Sequence, residues 1–256
     1  MSVITTVRLP VSRRWRVGLV SATSLSILPL LISAVQTPET VTVNDPRPLN
    51  AAVKALEERC HCAITYEDPK WGPDDVDDIS GSVWHRPDVR VRIPRGGSFT
   101  FDAPPGLSSG TPAQKRAALA QVLRAFEETR IGRGAFRVTN DATTVHVIPR
   151  LGSVLDTPVT IGSATRPLGD VVTKVLADVG QVTGQRIGLA TFPINFFKQR
   201  RVEIEATQEP ARDVLVRALA ASGRALSWRL FYDVTMGQYY LGIHFVPQPS
   251  RPSRGK

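Results

Sequence analysis

The chain of 256 residues is poor in the residue types on which most catalytic and metal sites depend. It has two cysteines, four histidines and two methionines, and aromatic residues make up 7% of it. Two cysteines cannot form a disulfide scaffold, and a chain of this length can bury a hydrophobic core without one. No His-Glu-x-x-His zinc motif occurs. The sequence therefore predicts no catalytic residues, no metal site and no cofactor.

Serine nucleophiles and histidine ligands are also not indicated. The glycine–serine strings Ser80-Gly81-Ser82 and Ser108-Ser109-Gly110 are expected in loops rather than between a strand and a helix, so no Gly-x-Ser-x-Gly nucleophile elbow is predicted. The adjacent Glu57 and Glu58 are interpreted as a solvent-exposed helix face. The histidines are too dispersed to converge on a metal and are interpreted as structural; they are His61, His85, His146 and His244.

Acidic residues are absent from the first 34 positions, which contain four arginines. The formal net charge is +9; without these arginines it is +5, and without the three basic residues of the flexible tail at 248–256 it is +2. The remaining chain has no cluster of basic residues interleaved with aromatics, as nucleic-acid-binding surfaces have. Nucleic-acid binding is therefore not expected.

Residues 17–35 form an uncharged apolar run that follows this arginine-rich segment. This order is typical of a secretory signal peptide, and Ile32-Ser33-Ala34 is a suitable site for cleavage after Ala34. The run is also long enough to remain as a single inner-membrane anchor. Residues 1–34 are therefore interpreted as a signal peptide or a membrane tether, and the mature protein is expected to be periplasmic or secreted.

Cys60-His61-Cys62 is the only group of potential soft-metal ligands close together in the sequence. Three ligands this close cannot easily complete a tetrahedral site. The favoured interpretation is that a helix ends here and a strand begins, with Cys62 and Ile64 pointing inward. An exported protein meets oxidising surroundings, but a disulfide across one residue is expected to be strained.

Two stretches of the chain, 40–150 and 156–247, repeat one order of predicted elements. Each has a short strand, then Arg-Pro-Leu at a helix start (47–49 and 166–168), a second strand, a third strand, a second helix and a closing hairpin. The first carries an insertion at 68–97, rich in glycine and proline. The predicted fold is α+β, with two tandem small β-α-β-β-α-β-type modules after the leader.

Local signals place the second helices and the hairpins. Thr111 and Gln114 form a capping box at one helix start, and Thr207 is expected to cap the other. Asn140-Asp141 and Met236-Gly237 are the predicted hairpin turns.

The arrangement resembles the secretin and TonB short N-terminal domain, called STN, in two tandem copies. The resemblance rests on the strand before each Arg-Pro-Leu helix start, the strand after that helix, and the run from Val202 to Leu215. STN domains occur in periplasmic parts of outer-membrane secretins, TonB-dependent receptors and anti-sigma regulators. The resemblance implies a docking or scaffolding role, and the family offers no catalytic residues to transfer.

The expected function is therefore binding of another cell-envelope protein without catalysis, by strand addition at an exposed sheet edge or by packing of the helical face. The candidate edge residues are Val89, Arg90, Val91 and Arg92, and Val202, Glu203 and Ile204. The alternative is an envelope hydrolase for glycan or peptide that uses carboxylates of the 68–97 insertion. The sequence leaves the oligomeric state open.

Overall fold

A computed structural model describes most of the chain from residue 39 onward. The described residues are 39–82, 90–103, 107–129, 131, 136–141 and 143–249. The predicted signal or anchor segment, including its apolar run 17–35, lies outside them, as do Val89, His85 and residues 250–256 of the tail.

The described part of the chain is α+β. The helices are α1 (Pro48–Cys60), α2 (Pro112–Glu128), α3 (Leu168–Thr183), α4 (Ile194–Gln199) and α5 (Ala211–Ala221). The strands of the first half are β1 (Glu39–Asp45), β2 (Ile64–Glu67), β3 (Val76–Asp78), β4 (Arg92–Pro94), β5 (Gly97–Ala103), β6 (Phe136–Asn140) and β7 (Val145–Pro149). The strands of the second half are β8 (Pro158–Pro167), β9 (Ile187–Leu189), β10 (Arg201–Pro210), β11 (Leu226–Asp233) and β12 (Gln238–Phe245). None of the described helices has the length and apolar character needed to cross a membrane.

Helix starts follow the sequence signals at most positions. Thr111 accepts a hydrogen bond from the Gln114 backbone N–H, and the Gln114 side chain accepts one from the Thr111 N–H, which confirms the capping box of α2. The prediction that Thr207 caps α5 is wrong, because β10 keeps pairing with β8 as far as Pro210 and α5 begins only at Ala211.

A six-stranded mixed sheet has the order β6-β7-β2-β11-β12-β9. Its hairpins β6–β7 and β11–β12 are antiparallel, whereas β2–β7, β2–β11 and β9–β12 are parallel. The first three strands belong to the first half and the last three to the second half. A single parallel pair, β2–β11, therefore joins the two halves into one sheet.

Two-stranded antiparallel sheets complete the architecture. β1 pairs with β5, β8 pairs with β10, and inside the insertion β3 pairs with β4. The predicted edge strand of the insertion thus begins at Arg92 and has β3 as its partner.

The two hydrophobic cores lie on opposite faces of the six-stranded sheet. In the β2–β11 pair, Tyr66 lies beside Arg229 and Glu67 beside Leu230. Tyr66 belongs to the first-half core and Leu230 to the second-half core. Because successive strand residues point to opposite faces, Glu67 faces the second half and Arg229 faces the first. Each half therefore places a charged side chain against the other half.

Gly96, between β4 and β5, passes very close to the turn between β1 and α1. A β-carbon at this position would lie 2.1 Å from the carbonyl oxygen of Asp45 and 2.4 Å from the α-carbon of Pro46. Both neighbours are backbone atoms, so the approach depends on the absence of a side chain.

Candidate functional site

The predicted edge residues of the insertion lie near the end of the second-half hairpin. Arg90 and Arg92 are exposed, and the Arg92 N–H donates to the Thr235 hydroxyl in the β11–β12 turn at 2.9 Å. Val91 accepts a hydrogen bond from the Ile79 N–H through its carbonyl oxygen at 2.9 Å. The segment from Arg90 to Arg92 is therefore bound to the β11–β12 turn, and the β4 strand that continues from it pairs with β3.

The second predicted edge, Val202 to Ile204, lies in β10. Val202 and Ile204 point into the second-half core, and Glu203 is exposed. One side of the strand pairs with β8, and no described strand pairs with its other side. At this edge, only Glu203 among the three offers its side chain to a partner.

Cys60 and Cys62 form a disulfide, with their α-carbons 5.2 Å apart. The expectation that a bridge across one residue is strained is wrong, because this separation lies in the usual range. His61 between them adopts a left-handed conformation, φ 47° and ψ 39°, that ends α1 and turns the chain back. Its ring Nδ1 lies 3.1 Å from the carbonyl oxygen of Pro247.

The disulfide predicts that unfolded, non-reduced protein contains no thiol that can be alkylated. Mass spectrometry after alkylation in denaturant should show no label without reductant and a label on both cysteines after reduction. Because the bridged loop is very short, we expect the Cys60→Ser/Cys62→Ser variant to lose at most about 2 kcal/mol in the free energy of unfolding. Labelling of Cys60 or Cys62 without reductant would contradict the bridge.

Glu57 lies in a buried ion cluster, which corrects its interpretation as a solvent-exposed residue. Only 2% of it is exposed. Its Oε2 accepts hydrogen bonds from Arg229 Nη2 at 2.9 Å and His244 Nε2 at 2.7 Å, and its Oε1 accepts the Ile64 N–H at 3.1 Å. Arg229 also donates to the carbonyl oxygen of Ile64 at 2.6 Å. Helix α1 of the first half is thus bound directly to β11 and β12 of the second.

A second buried cluster forms on the other face of the same strand pair. Arg212 at the start of α5 donates from Nε and Nη2 to the two carboxylate oxygens of Glu67, both at 2.9 Å. Its Nη1 donates to Asp156, in the short 3₁₀ turn before β8. Glu67 is fully buried. A bidentate, desolvated pair of this kind fixes geometry strongly.

A third cluster extends this contact at the end of β2. The buried Asp68 accepts hydrogen bonds from Arg47 Nε at 2.7 Å, from the Tyr66 hydroxyl at 2.9 Å and from the Tyr232 N–H at 3.0 Å. The Arg47 guanidinium also stacks over the ring of Phe231, 4.7 Å from its centroid. We call β2, β11 and the side chains Glu57, Glu67, Asp68, Arg212 and Arg229 the central interface.

Carboxylates in and near these clusters have pKa values shifted in opposite directions. Burial raises the pKa of Asp68 above its ordinary value despite the opposing charge of Arg47. Burial also acts to raise the pKa of Glu57, but the hydrogen bond from His244 and the charge of Arg229 outweigh it and lower that pKa. Partial burial also acts to raise the pKa values of Asp141 and Asp156. The hydrogen bonds that these carboxylates accept from backbone N–H groups outweigh it, so both pKa values lie below the ordinary value.

These lowered pKa values predict a loss of stability in acid. The ordinary pKa values are 4.5 for Glu57 and 3.8 for Asp141 and Asp156. Below these values the carboxylates of the unfolded chain become protonated while those of the native protein remain ionised. The free energy of unfolding should therefore fall as pH drops through this range, with Asp68 opposing part of the loss. Urea unfolding at successive pH values measures it, and Asp141→Asn should make the fall less steep. An unchanged slope in that variant would contradict the role given to Asp141.

Thr65, His146 and Asp141 have the connectivity of a catalytic triad. The Thr65 hydroxyl lies 2.8 Å from His146 Nδ1, and His146 Nε2 lies 3.3 Å from Asp141 Oδ2. Burial lowers the pKa of His146, so its ring is neutral at neutral pH and can accept the Thr65 proton. However, Thr65 has no exposed surface, so its hydroxyl cannot meet a substrate. The arrangement links β2 to the β6–β7 hairpin.

A Gly-x-Ser-x-Gly string does lie between a strand and a helix. The expectation that Ser108-Ser109-Gly110 lies in a loop away from such a junction is therefore wrong. The string spans 106–110, and the structure places Leu107, Ser108 and Ser109 in a turn between β5 and α2, while 104–106 lie outside the described residues. The described histidines have other partners: His61 contacts Pro247, and the other two bind the carboxylates given above. None of them activates Ser108.

The described acidic residues of the insertion do not converge. Asp68 is buried in the third cluster, whereas Asp74, Asp77 and Asp78 are exposed, and Asp77 pairs with Arg95 at 2.9 Å. No group of three or more His, Cys, Asp or Glu side chains placed to hold a metal occurs among the residues that the structure describes.

A cleft of about 410 Å³ opens beside the disulfide, between α5 and the start of β2. None of the described residues that line it is a carboxylate or belongs to the insertion. The Trp228 indole N–H borders it, buried and without a hydrogen-bond partner among the described atoms. The lining residues are His61, Cys62, Ala63, Thr143, Thr144, Val216, Leu219, Ala220, Gly223, Arg224, Ala225, Leu226 and Trp228.

The central interface was not predicted from the sequence, although one signal for it was present. Glu57 lies four residues after Val53 and three before Cys60, so it falls on the apolar stripe of α1. A glutamate on such a stripe needs a buried cation. No protein-family model, curated protein or solved structure matches the chain.

Proposed function

We propose that the chain is an exported cell-envelope protein that binds or scaffolds another envelope protein and has no catalytic activity. In this proposal, residues 40–150 and 156–247 are two tandem STN-like modules, the first with an insertion at 68–97. The leader delivers them to the periplasm or the cell exterior, or keeps them tethered to the inner membrane.

Strand pairing supports the proposal of two related modules. In the first half, β7 pairs with β6 in antiparallel and with β2 in parallel direction. In the second half, β12 pairs with β11 in antiparallel and with β9 in parallel direction. Each half also has an antiparallel pair, β1–β5 or β8–β10, formed by the strands that precede its two long helices.

The central interface is the observation that carries the functional proposal. There, one half binds the other by adding a strand edge to a strand edge, and buried Arg–Glu pairs on both faces determine which edges meet. This is the chemistry of strand-addition binding, in which backbone hydrogen bonds provide affinity and side-chain contacts provide specificity. A fold that joins its own parts in this way is suited to receive a further strand at the ends of the sheet.

The proposed periplasmic or secreted location is supported by the predicted leader and by the Cys60–Cys62 disulfide, because disulfides persist in oxidising surroundings. Cell fractionation of the full chain, followed by N-terminal sequencing, tests this part. A periplasmic or secreted product beginning at Val35 is expected for a cleaved leader, and an intact N-terminus in the membrane fraction for the tether. Recovery from the cytoplasm would refute export.

The binding role is tested by photo-crosslinking in cells that make the full chain. A crosslinking residue is placed in turn at exposed positions on β6, β10 and the β4 segment, with exposed Val182 of α3 as the control position. One defined partner, captured at an edge and not at Val182, is expected. Capture nowhere, together with turnover of an ester, glycan or peptide substrate, would replace this proposal by the hydrolase alternative.

A further inference from the structure

The strand β6 at one end of the six-stranded sheet corresponds to β11 at the central interface. Aligning the parallel pair β2–β7 with β9–β12 by their first residues places Val147 at the position of Leu241. The antiparallel partner of Val147 is Val138 on β6, and that of Leu241 is Leu230 on β11. An arginine directly precedes each partner: Arg137 in the first half and Arg229 in the second. Arg137 therefore takes the position of the arginine that binds Glu57.

The second interface arginine also has a counterpart. Helix α2 buries Ala118, Leu119, Val122 and Leu123, and helix α5 buries Val214, Leu215, Ala218 and Leu219 at the same spacing; α5 also buries Ala211 before this run. When the two runs are aligned, Arg116 lies two residues before the first and Arg212 two residues before the second. Arg116 Nη1 donates to the side-chain oxygen of Asn140 at 3.3 Å, which places its guanidinium at the end of β6.

Both counterparts lack the carboxylate that their equivalents have. Arg116 and Arg137 are exposed, and neither forms a close ion pair with a described carboxylate. The charge of Arg137 acts on Asp156 only at longer range, and the hydrogen-bond partner of Asp156 is Arg212. One side of β6 pairs with β7, and no described strand pairs with the other. The outer edge of β6 thus has the two cations of the central interface, with open pairing positions between them.

The opposite end of the sheet cannot supply the missing anions. β9 is the counterpart of β2, and Ala190 stands where Glu67 stands in the first half. The counterpart of Glu57 is the buried Leu176, counting from the two Arg-Pro-Leu strings. The residue before β9 is Arg186, whose charge matches that of the β6 edge instead of complementing it. A second copy of this chain is therefore a poor occupant.

We propose that the outer edge of β6 binds a strand of a different protein, parallel to β6 and carrying carboxylates that meet Arg116 and Arg137. This inference rests on the proposed function and names its binding edge and the chemistry of its partner. The docked strand would contact β6 as β2 contacts β11. Its backbone would pair along the edge, and one arginine–carboxylate contact would form on each face of the sheet.

The chain itself supplies a probe for this chemistry. The parent for this test is the Arg186→Ser variant, which removes the like charge before β9, and in it Ala190→Glu introduces at the exposed end of β9 the carboxylate that Glu67 provides on β2. If the β6 edge recognises such a strand, one copy of Ala190→Glu should bind β6 of the next, and because the contact is head to tail the association stays open-ended. We expect the average mass in sedimentation equilibrium to rise with concentration, to about twice the parent's value or more.

Matched variants identify the contact. Ala190→Lys should sediment as the parent does, and Ala190→Glu with Arg116→Glu and Arg137→Glu should lose the association. If Ala190→Glu sediments as the parent, or still associates when both arginines are replaced, the β6 edge does not have the proposed specificity. The cellular crosslinking distinguishes the two proposals: a partner captured at β10 or β4 but not at β6 would overturn this inference and leave the binding role intact.

Discussion

Replacing Glu57 with alanine is expected to lower the free energy of unfolding by about 3–5 kcal/mol. The variant keeps Arg229 buried while it removes its counter-charge, and it leaves His244 and the Ile64 N–H without their acceptor. An uncompensated buried guanidinium is costly, because the remaining carbonyl contacts do not neutralise it. Urea or guanidinium unfolding followed by circular dichroism measures the loss.

The neighbouring Glu58 is the matched control for this prediction. It has the same side chain on the same helix but is exposed, so Glu58→Ala should change the free energy of unfolding by less than about 1 kcal/mol. The paired variant Glu57→Leu/Arg229→Met should recover most of the loss, since a buried ion pair can be replaced by apolar side chains of similar size. Equal effects of Glu57→Ala and Glu58→Ala would show that Glu57 is not part of a buried pair.

The second large effect is expected at Gly96. In Gly96→Ala the new β-carbon would meet the backbone of Asp45 and Pro46 at 2.1–2.4 Å, and neither the carbonyl oxygen nor the proline ring can rotate away. Relief requires β5 to move away from the turn before α1, which disturbs the β1–β5 pair. We expect a loss of about 3 kcal/mol or more in the free energy of unfolding.

Gly162→Ala is the corresponding control. Gly162 also lies in a paired strand, but a β-carbon there has no atom within 4 Å. Its replacement should leave thermal and urea unfolding nearly unchanged, or stabilise the protein slightly by restricting the unfolded chain. A Gly96→Ala protein as stable as Gly162→Ala would mean that the approach of β5 to the turn is looser than the structure shows.

The order of most elements was predictable because the signals for it are local, but strand β3 and the short helix α4 were not predicted. Alternating strands such as β5, the capping box at Thr111 and the Arg-Pro-Leu helix starts are each contained within a few residues. The end of β10 was not predictable in this way. Thr207 is a suitable helix cap on its own, but pairing with β8 holds it in a strand that continues through a residue with positive φ, Gln208.

The joining of the halves had no such local signal. All four residues of β2 are buried, so the strand lacks the alternation that distinguishes a core face from an exposed one. The partner of Glu57 lies 172 residues further along the chain and that of Glu67 lies 145 residues further. The candidate binding edge at β6 became visible only when Arg137 and Arg116 could be aligned with the arginines of this interface.

These separations also determine when the protein can finish folding. Contacts between residues far apart in the chain form slowly, because the entropy of closing a long loop is lost before the contact stabilises the chain. A chain that emerges from the ribosome N-terminus first would present Glu57 and Glu67 well before Arg212 and Arg229 arrive. We expect β2 and β11 to gain protection together and later than β1 and β5, and pulse-labelled amide exchange during refolding would detect the opposite order. Until that step, β2 is itself an open edge, available to chaperones or to the wrong strand.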